Sequence, residues 1–143
     1  MTPQLFKVWN ECCNLPALAD VTTKTRILIV EDERSVRQLY RAALTLAGFT
    51  VDTAEDGLSA LRKIDDERPD LIVLDLHLPR LDGLTVLSEL RANSHTWSIP
   101  VVVVTGTDNE HALRHASAVL RKPCEPEALL AVIERHLDLD PVA

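Results

Sequence analysis

Side chains that could act together in chemistry follow four apolar runs of the sequence. They are Glu31 and Asp32 after RILIV, Asp75 after LIVL, Thr105 after VVVV, and Lys122 after AVLR. An acid at the end of a single strand is most often a helix cap or a turn former. The repetition across four runs, with three carboxylates, one hydroxyl and one ammonium, instead indicates a common site.

Three acids that lie close together repel one another unless positive charge lies between them. Lys122 can offset one negative charge, and a hard divalent cation can offset the remainder. A ligand set made only of oxygens favours Mg²⁺, which retains several waters and uses few protein carboxylates. A site with a cation, a carboxylate, an ammonium and a hydroxyl can receive a phosphoryl group, and Asp75, in the middle of the set, is the predicted nucleophile.

The elements that must position these residues alternate between strand and helix. The strand-like runs are RILIV, TVDTA, LIVL, VVVV and AVLR, and each is followed by a run with helical spacing of its apolar residues. LIVL and VVVV are apolar at every position, which is typical of parallel strands covered by helices on both faces. We therefore expect a doubly wound α/β sheet, whose ligand site lies at the carboxyl ends of the strands.

Two helices have sequence signals for their ends and their buried faces. A capping box at Ser35 and Gln38 and a left-handed exit at Gly48 would bound the first helix. Its predicted apolar stripe is Val36, Leu39, Tyr40, Ala43 and Ala47. Pro126 suits the first turn of the last helix. The predicted core positions of that helix are Leu129, Val132, Ile133 and Leu137.

Composition and charge exclude several classes of function. The 143 residues have a formal net charge of −7 and 46% hydrophobic residues, which is typical of a globular protein without a basic nucleic-acid surface. No apolar stretch approaches the ~20 residues of a membrane span, and no signal peptide is recognisable, so we expect a cytoplasmic protein. Cys12, Cys13 and Cys124 fit neither a disulfide framework nor a zinc site.

The first 24 residues stand outside the alternating pattern. We expect an N-terminal extension over 1–24, a single domain over 25–138 and a short tail over 139–143. A short helix with Leu5, Val8, Trp9 and Cys12 on one face is predicted within the extension. Docking on its own domain, docking on a second copy, disorder and a cloning remnant all remain open for this segment.

In their order and spacing, Glu31-Asp32, Asp75, Thr105-Gly106 and Lys122-Pro123 resemble the response-regulator receiver domain of two-component signalling. The resemblance extends from about residue 26 to 138, and DLHLPRLDG is similar to the phosphorylation-site signature of that family. It implies a flavodoxin-like fold with strand order 2-1-3-4-5 and helices on both faces. It also implies a signalling protein that catalyses only its own phosphorylation and dephosphorylation.

The resemblance also implies a role for each residue of the site. Asp75 would accept a phosphoryl group from the phosphohistidine of a histidine kinase or a histidine phosphotransfer protein. Asp32, Asp75 and the backbone carbonyl of His77 would hold Mg²⁺, with Glu31 acting largely through water. Lys122 would pair with an oxygen of the phosphoryl group.

The switch of the family would involve Thr105, Val119 and Pro123. Thr105 would hydrogen-bond the phosphoryl group and draw the following loop inward, and the Lys122–Pro123 peptide would be cis. Many family members have an aromatic residue at the position of Val119, so this chain departs from the pattern there. His77 and Thr107 lie where the family tunes the lifetime of the phosphate.

Alternative functions differ in the chemistry that they require. A phosphatase of the haloacid-dehalogenase type also attacks with an aspartate, but it needs a second acid where this chain has His77. A receiver that binds partners without phosphorylation would be favoured only if a site residue were missing. A stand-alone receiver would relay phosphate, act as a phosphate sink or bind a target protein directly. Its signal would leave through a protein surface, unless the chain is a fragment of a longer protein. A homodimer through the N-terminal extension or the face formed by the fourth and fifth helices is a further option.

Overall fold

Five parallel strands form the centre of the computed structural model, which describes residues 25–107 and 110–137. The strands are β1 (Arg26–Val30), β2 (Thr50–Ala54), β3 (Leu71–Leu74), β4 (Val101–Thr105) and β5 (Ala118–Arg121). They pair in the order β2-β1-β3-β4-β5. The parallel sheet and its predicted strand order are confirmed, and the order reverses between β1 and β3.

Helices connect the strands and cover both faces of the sheet. They are α1 (Arg34–Leu46), α2 (Gly57–Asp66), α3 (Gly83–Ala92), α4 (Glu110–His115) and α5 (Pro126–His136). Buried residues of α1 and α5 pack in one apolar cluster, and buried residues of α2, α3 and α4 pack in the other. The molecule therefore has three layers, as right-handed crossovers between parallel strands require.

The two central strands are buried along their whole length. Ile72 and Leu74 of β3 face the cluster with α2 and α3, whereas Leu71 and Val73 face the cluster with α1 and α5. Successive side chains of a strand point to opposite faces, so a strand that is covered on both sides must be apolar throughout. This explains why LIVL and VVVV show no alternation.

The start of α1 differs from the prediction, and the proposed capping box at Ser35 and Gln38 is wrong. The helix begins at Arg34, and Glu33 occupies the N-cap position without a side-chain cap. The backbone N–H of Glu33 donates to Glu31 Oε2 at 3.1 Å, and Ser35 Oγ lies 3.0 Å from Glu33 Oε2. The contact with Glu31 fixes the chain before Ser35, which leaves the serine inside the first turn.

The buried face of α1 is also narrower than the predicted stripe. Tyr40 and Leu44 are buried, whereas Leu39 is 52% exposed and Ala47 is also exposed. The core-facing positions of this helix follow four-residue spacing, and Leu44 was missed. Gly48 ends the helical segment with φ of +102°, as predicted.

The last helix agrees with its sequence signals. Pro126 lies in its first turn, Leu129 and Ile133 are buried, and Val132 and Leu137 pack against the same cluster. The predicted extension over 1–24, including its helix and both of its cysteines, and the tail over 139–143 lie outside the described residues. Their boundaries remain predictions.

Candidate functional site

The carboxyl ends of four strands bring the predicted side chains together at one end of the sheet, here called the carboxyl edge. Glu31 and Asp32 follow β1, Asp75 follows β3, Thr105 ends β4 and Lys122 follows β5. Carboxylate oxygens of Glu31, Asp32 and Asp75 all lie within 4.8 Å of one another. We call these three residues the acidic cluster.

Lys122 bridges two members of the acidic cluster. Its Nζ lies 2.9 Å from Glu31 Oε1 and 3.2 Å from Asp75 Oδ2. Burial disfavours the charged ammonium, but the hydrogen bond to Glu31 and the charge of Asp75 outweigh it and raise the pKa of Lys122. Lys122 is therefore a firmly protonated cation between two buried carboxylates.

One ammonium does not neutralise the acidic cluster. Burial raises the pKa of Glu31, and the charge of Asp75 raises it further, although the hydrogen bond from Lys122 opposes both effects. Asp32 is exposed, and none of its carboxylate oxygens has a hydrogen bond or ion pair within the described part of the chain. The donor set consists only of oxygens and carries excess negative charge, so these residues fit a hard divalent cation such as Mg²⁺.

The backbone around Asp75 holds its carboxylate in one orientation. The N–H of Asp75 donates to the carbonyl of Val30 at 3.0 Å, and Asp75 Oδ1 accepts from the N–H of His77 at 3.1 Å. Gly83 packs against this turn, because a Cβ at that position would collide with the carbonyl oxygen of Asp75 and lie 2.6 Å from the Cα of Leu76. The glycine of the DLHLPRLDG stretch therefore lets α3 start close behind the acid.

Thr105 has the feature that points most directly to a ligand. Its side chain is fully buried, yet its Oγ1 has no hydrogen-bond partner among the described residues. A buried hydroxyl without a partner is unfavourable and uncommon. Its carbonyl accepts from the N–H of Lys122 at 2.9 Å, which ties the end of β4 to the site lysine.

Exposed residues lie in the loops that follow β3 and β4. His77, Gly106 and Thr107 are exposed, and Thr107 Oγ1 lies 3.4 Å from His77 Nε2. This contact joins the loop after β3 to the loop after β4 across the site. The predicted effect of His77 and Thr107 on phosphate lifetime remains a prediction.

A cis peptide and a hydrogen bond from α1 fix the loop after β5. The Lys122–Pro123 peptide is cis, as the resemblance implies. Tyr40 of α1 donates its hydroxyl hydrogen to the carbonyl of Cys124 at 2.9 Å. Burial of the hydroxyl raises the pKa of Tyr40 to about 12. Tyr40 therefore anchors the chain two residues after Lys122.

Arg37 and Tyr40 are the contributors that the sequence analysis missed. Arg37 Nη1 donates to the carbonyl of Glu31 at 2.9 Å and to that of Asp32 at 3.2 Å. Long side chains on a helix reach toward its N-terminus, so an arginine in the first turns after an acidic loop was a usable signal. Tyr40 was assigned only to the apolar stripe, although a buried tyrosine usually finds a hydrogen-bond partner.

Val119 lies on β5, where it pairs with Val103 and packs, half-buried, against the cluster that contains Ala112 of α4. No aromatic side chain occupies this position. The predicted role of Val119 in a switch therefore has to rest on a small, β-branched side chain.

Comparison with known proteins identifies the family. Residues 27–134 match the family model described as the response regulator receiver domain. The chain belongs to this family. Receiver domains of two-component systems are phosphoacceptor signalling proteins rather than conventional enzymes, and they interact with histidine kinases and with downstream targets.

Sequence relatives of this receiver domain are longer than the chain. The response regulator MprA of Mycobacterium avium (strain 104) is 36% identical over 141 residues, which cover 82% of this chain and 61% of the relative. The response regulator MprA of Mycobacterium ulcerans (strain Agy99) is 45% identical over 84 residues, which cover 59% of this chain and 35% of the relative. The matched regions thus span between one third and about three fifths of these relatives.

Solved structures of receiver domains have the same fold. Chemotaxis response regulator CheY4 of Vibrio cholerae matches with a TM-score of 0.73 and 31% identity, covering 79% of this chain and 98% of that one. The receiver domain of sensor histidine kinase PA1611 from Pseudomonas aeruginosa PAO1, described with magnesium coordinated in its active-site cleft, matches with a TM-score of 0.74 and 26% identity. This match covers 81% of this chain and 99% of that one.

The helices of the described ranges were also compared with the length and hydropathy that a membrane span requires, and none of them meets both requirements.

Proposed function

We propose that this receiver domain accepts a phosphoryl group on Asp75 from the phosphohistidine of a histidine kinase or a histidine phosphotransfer protein. In the proposal, the phosphorylated domain then signals to a protein partner by a change of conformation. The observation that carries the proposal is the burial of Asp75 beside two more carboxylates, with Lys122 Nζ 3.2 Å from its Oδ2. A structural ion pair alone would need only one of these acids.

Asp75 acts in this proposal as the nucleophile. A carboxylate oxygen forms a bond to phosphorus while the bond between phosphorus and the imidazole nitrogen of the donor breaks, and its electron pair returns to that nitrogen. The product is an acyl phosphate on Asp75 and a free histidine on the donor. The N–H of His77 and the ammonium of Lys122 orient the carboxylate before the reaction.

Asp32, Asp75 and the backbone carbonyl of His77 would hold Mg²⁺, with Glu31 contributing largely through water. The excess negative charge of the acidic cluster supports this assignment, as does the magnesium ion described for the PA1611 receiver. The cation, when bound, supplies positive charge that neutralises the oxygens of the incoming phosphoryl group. Lys122 provides a second positive group on the side of β5.

Thr105 links phosphorylation to a change of shape in this proposal. A phosphoryl oxygen would give the buried hydroxyl of Thr105 the partner that it lacks among the described residues. Movement of Thr105 carries Gly106 and Thr107 with it, because they follow directly in the chain. Val119 lies on β5, which pairs with β4, and Pro123 follows Lys122, whose N–H donates to the carbonyl of Thr105. We therefore expect the surface around α4 and β5 to change its conformation.

The acceptor assignment can be tested by intact-mass measurement. The protein is incubated with acetyl phosphate and Mg²⁺, quenched in acid and weighed, alongside Asp75→Asn and Asp65→Asn variants. Asp65 is an exposed residue of α2 and serves as the matched control. We expect the parent and Asp65→Asn to gain one phosphoryl group that hydroxylamine removes, as an acyl phosphate requires, and Asp75→Asn to gain none.

Chelation of Mg²⁺ with EDTA should abolish the gain in mass. Uptake that persists in Asp75→Asn, or a parent that stays unmodified under all donor conditions, contradicts the proposal. Multiple rapid turnovers of donor, without accumulation of the modified form, would instead indicate a phosphatase.

A further inference from the structure

Arg37 makes a contact with the acidic cluster that none of the roles above requires. A single guanidinium nitrogen, Nη1, donates to the carbonyls of two consecutive residues, Glu31 at 2.9 Å and Asp32 at 3.2 Å. These two residues supply two of the three carboxylates of the acidic cluster. The guanidinium thus touches the backbone of the loop that carries them.

The conformation of the backbone sets the direction of the Asp32 side chain. Glu31 has further restraints, because its N–H donates to the carbonyl of Ala54 at 3.0 Å and its carboxylate accepts from Lys122 and from the N–H of Glu33. The carboxylate of Asp32 has no comparable contact in the described ranges and is exposed. Its direction therefore depends on the peptide planes on either side of it, and the contacts of Arg37 fix their carbonyls.

Arg37 carries its positive charge at the N-terminal end of α1. Arg34 and Arg37 both lie within the first four residues of α1, which has no acid in its first turn and no side-chain cap. A positive end of the helix dipole disfavours cations there. The charge of Arg37 would also oppose a metal cation at the acidic cluster. Its hydrogen bonds and its charge therefore act on a bound cation in opposite directions.

We propose that Arg37 is a positioning residue for the cation site: its guanidinium holds the carbonyls of Glu31 and Asp32 so that the carboxylate of Asp32 faces Asp75. The inference rests on the proposed function, because it concerns the Mg²⁺ that phosphorylation of Asp75 requires. It assigns Arg37 a stabilising effect on metal binding that its charge alone would not produce. Weaker Mg²⁺ binding after loss of Arg37 therefore indicates positioning, whereas tighter binding indicates an effect of charge alone.

The test compares Mg²⁺ affinity in Arg37→Met, Arg37→Lys and Arg41→Met variants of the full chain. Arg41 lines the same cleft of α1 and makes no hydrogen bond or ion pair within the described residues, so its variant repeats the loss of charge without the loss of contacts. Amide chemical shifts recorded during MgCl₂ titration give the dissociation constants. We expect both Arg37 variants to bind roughly tenfold more weakly than the parent, as loss of an outer-shell partner typically causes.

Arg41→Met should bind Mg²⁺ as well as the parent or slightly more tightly. Unchanged or tighter binding in Arg37→Met overturns the inference, because charge would then be the whole effect. Parent-like binding in Arg37→Lys overturns it too, since lysine keeps the charge but its side chain is one atom too short to place a donor where Nη1 lies.

A second measurement does not depend on the metal. In Mg²⁺-free protein, the amide of Glu33, which donates to the Glu31 carboxylate, should exchange with solvent faster in both Arg37 variants than in Arg41→Met. Equal exchange in all three overturns the positioning role, even where the variants bind metal differently. If the parent fails to bind Mg²⁺ while the Glu33 amide exchanges as expected, the result contradicts both the proposed function and the metal role of Arg37. The mass measurement on the parent and Asp75→Asn identifies that case.

Discussion

The two ends of the sheet use the same kinds of charged side chain in different surroundings. At the carboxyl edge, Lys122 lies between Glu31 and Asp75, whose side chains are only 4% and 6% exposed. At the amino end, Arg26 Nη2 lies 2.8 Å from Glu67 Oε1, with side chains that are 37% and 63% exposed. The N···O distances of the ion pairs at the two ends are similar, so the burial of the side chains, rather than the geometry of the pairs, distinguishes the two ends.

The ends also differ in whether their polar groups are matched. Arg26 and Asp70 exchange hydrogen bonds at the amino end, since Arg26 N–H donates to Asp70 Oδ2 and Asp70 N–H donates to the carbonyl of Arg26, both at 2.8 Å. At the carboxyl edge, two buried carboxylates share one ammonium, and Thr105 Oγ1 has no partner in the described ranges. The polar groups of Arg26 and Asp70 are therefore matched, whereas the carboxyl edge has more carboxylates than ammonium groups and a hydroxyl without a partner among the described residues.

The largest predicted effect follows from removal of the lysine at the carboxyl edge. Lys122→Met should lower the free energy of unfolding by about 3 kcal/mol near neutral pH, because it leaves Glu31 and Asp75 buried without a cation. Urea unfolding followed by circular dichroism measures the change. Mg²⁺ should restore part of the loss, and a loss below about 1 kcal/mol would show that water already screens these acids.

The close approach of α3 to Asp75 gives the next largest effect. Gly83→Ala should destabilise the protein by about 2 kcal/mol, because its Cβ meets the backbone of Asp75 and Leu76 rather than a movable side chain. Gly106→Ala is the matched control, since a Cβ there has no heavy atom within 4 Å. Thermal unfolding of both variants checks the contrast, and equal melting temperatures would contradict it.

Tyr40 allows a smaller effect to be measured directly. Tyr40→Phe should cost about 1 kcal/mol through loss of the hydrogen bond to the carbonyl of Cys124. Tyr40 is the single tyrosine of the chain, so absorbance near the tyrosinate band should report its pKa of about 12 when folded and about 10 in denaturant.

The sign of the pH dependence follows from the raised pKa of Tyr40. The unfolded chain loses the tyrosine proton first, so the contribution of Tyr40 is fully present below pH 10 and is lost as the pH rises toward 12. Because this loss exceeds the advantage of about 1 kcal/mol, the parent should be more stable than Tyr40→Phe below pH 10 and less stable than it near pH 12. A folded-state midpoint near 10 would mean that the hydroxyl reaches solvent.

Strand-level features could be predicted from the sequence because they depend on burial alone. LIVL and VVVV must be parallel and covered, and the polar residue that follows each strand must then lie at a common edge. That argument brings Asp75, Thr105 and Lys122 together before any side-chain contact is known. Their chemical roles remain predictions until phosphorylation is measured.

Contacts from side chains outside the strands could not be predicted in the same way. Arg37 and Tyr40 reach the site from α1, and the periodicity of that helix shows which face is buried but not which loop a long side chain will meet. The capping box at Ser35 failed for a different, local reason. The helix begins one residue before Ser35, and its N-cap residue is Glu33, whose N–H donates to the carboxylate of Glu31 two residues earlier.

The smallest predicted effect lies at the amino end and completes the contrast. Glu67→Gln should change the free energy of unfolding by about 0.5 kcal/mol or less, because the exposed ion pair with Arg26 gains little in water. The difference should disappear in high salt, which screens exposed charges, whereas the effect of Lys122→Met should persist because its partners are buried. Urea unfolding at low and high NaCl measures both variants side by side. A salt-resistant loss in Glu67→Gln would mean that the amino end holds a partly buried ion pair and that burial does not separate the two ends.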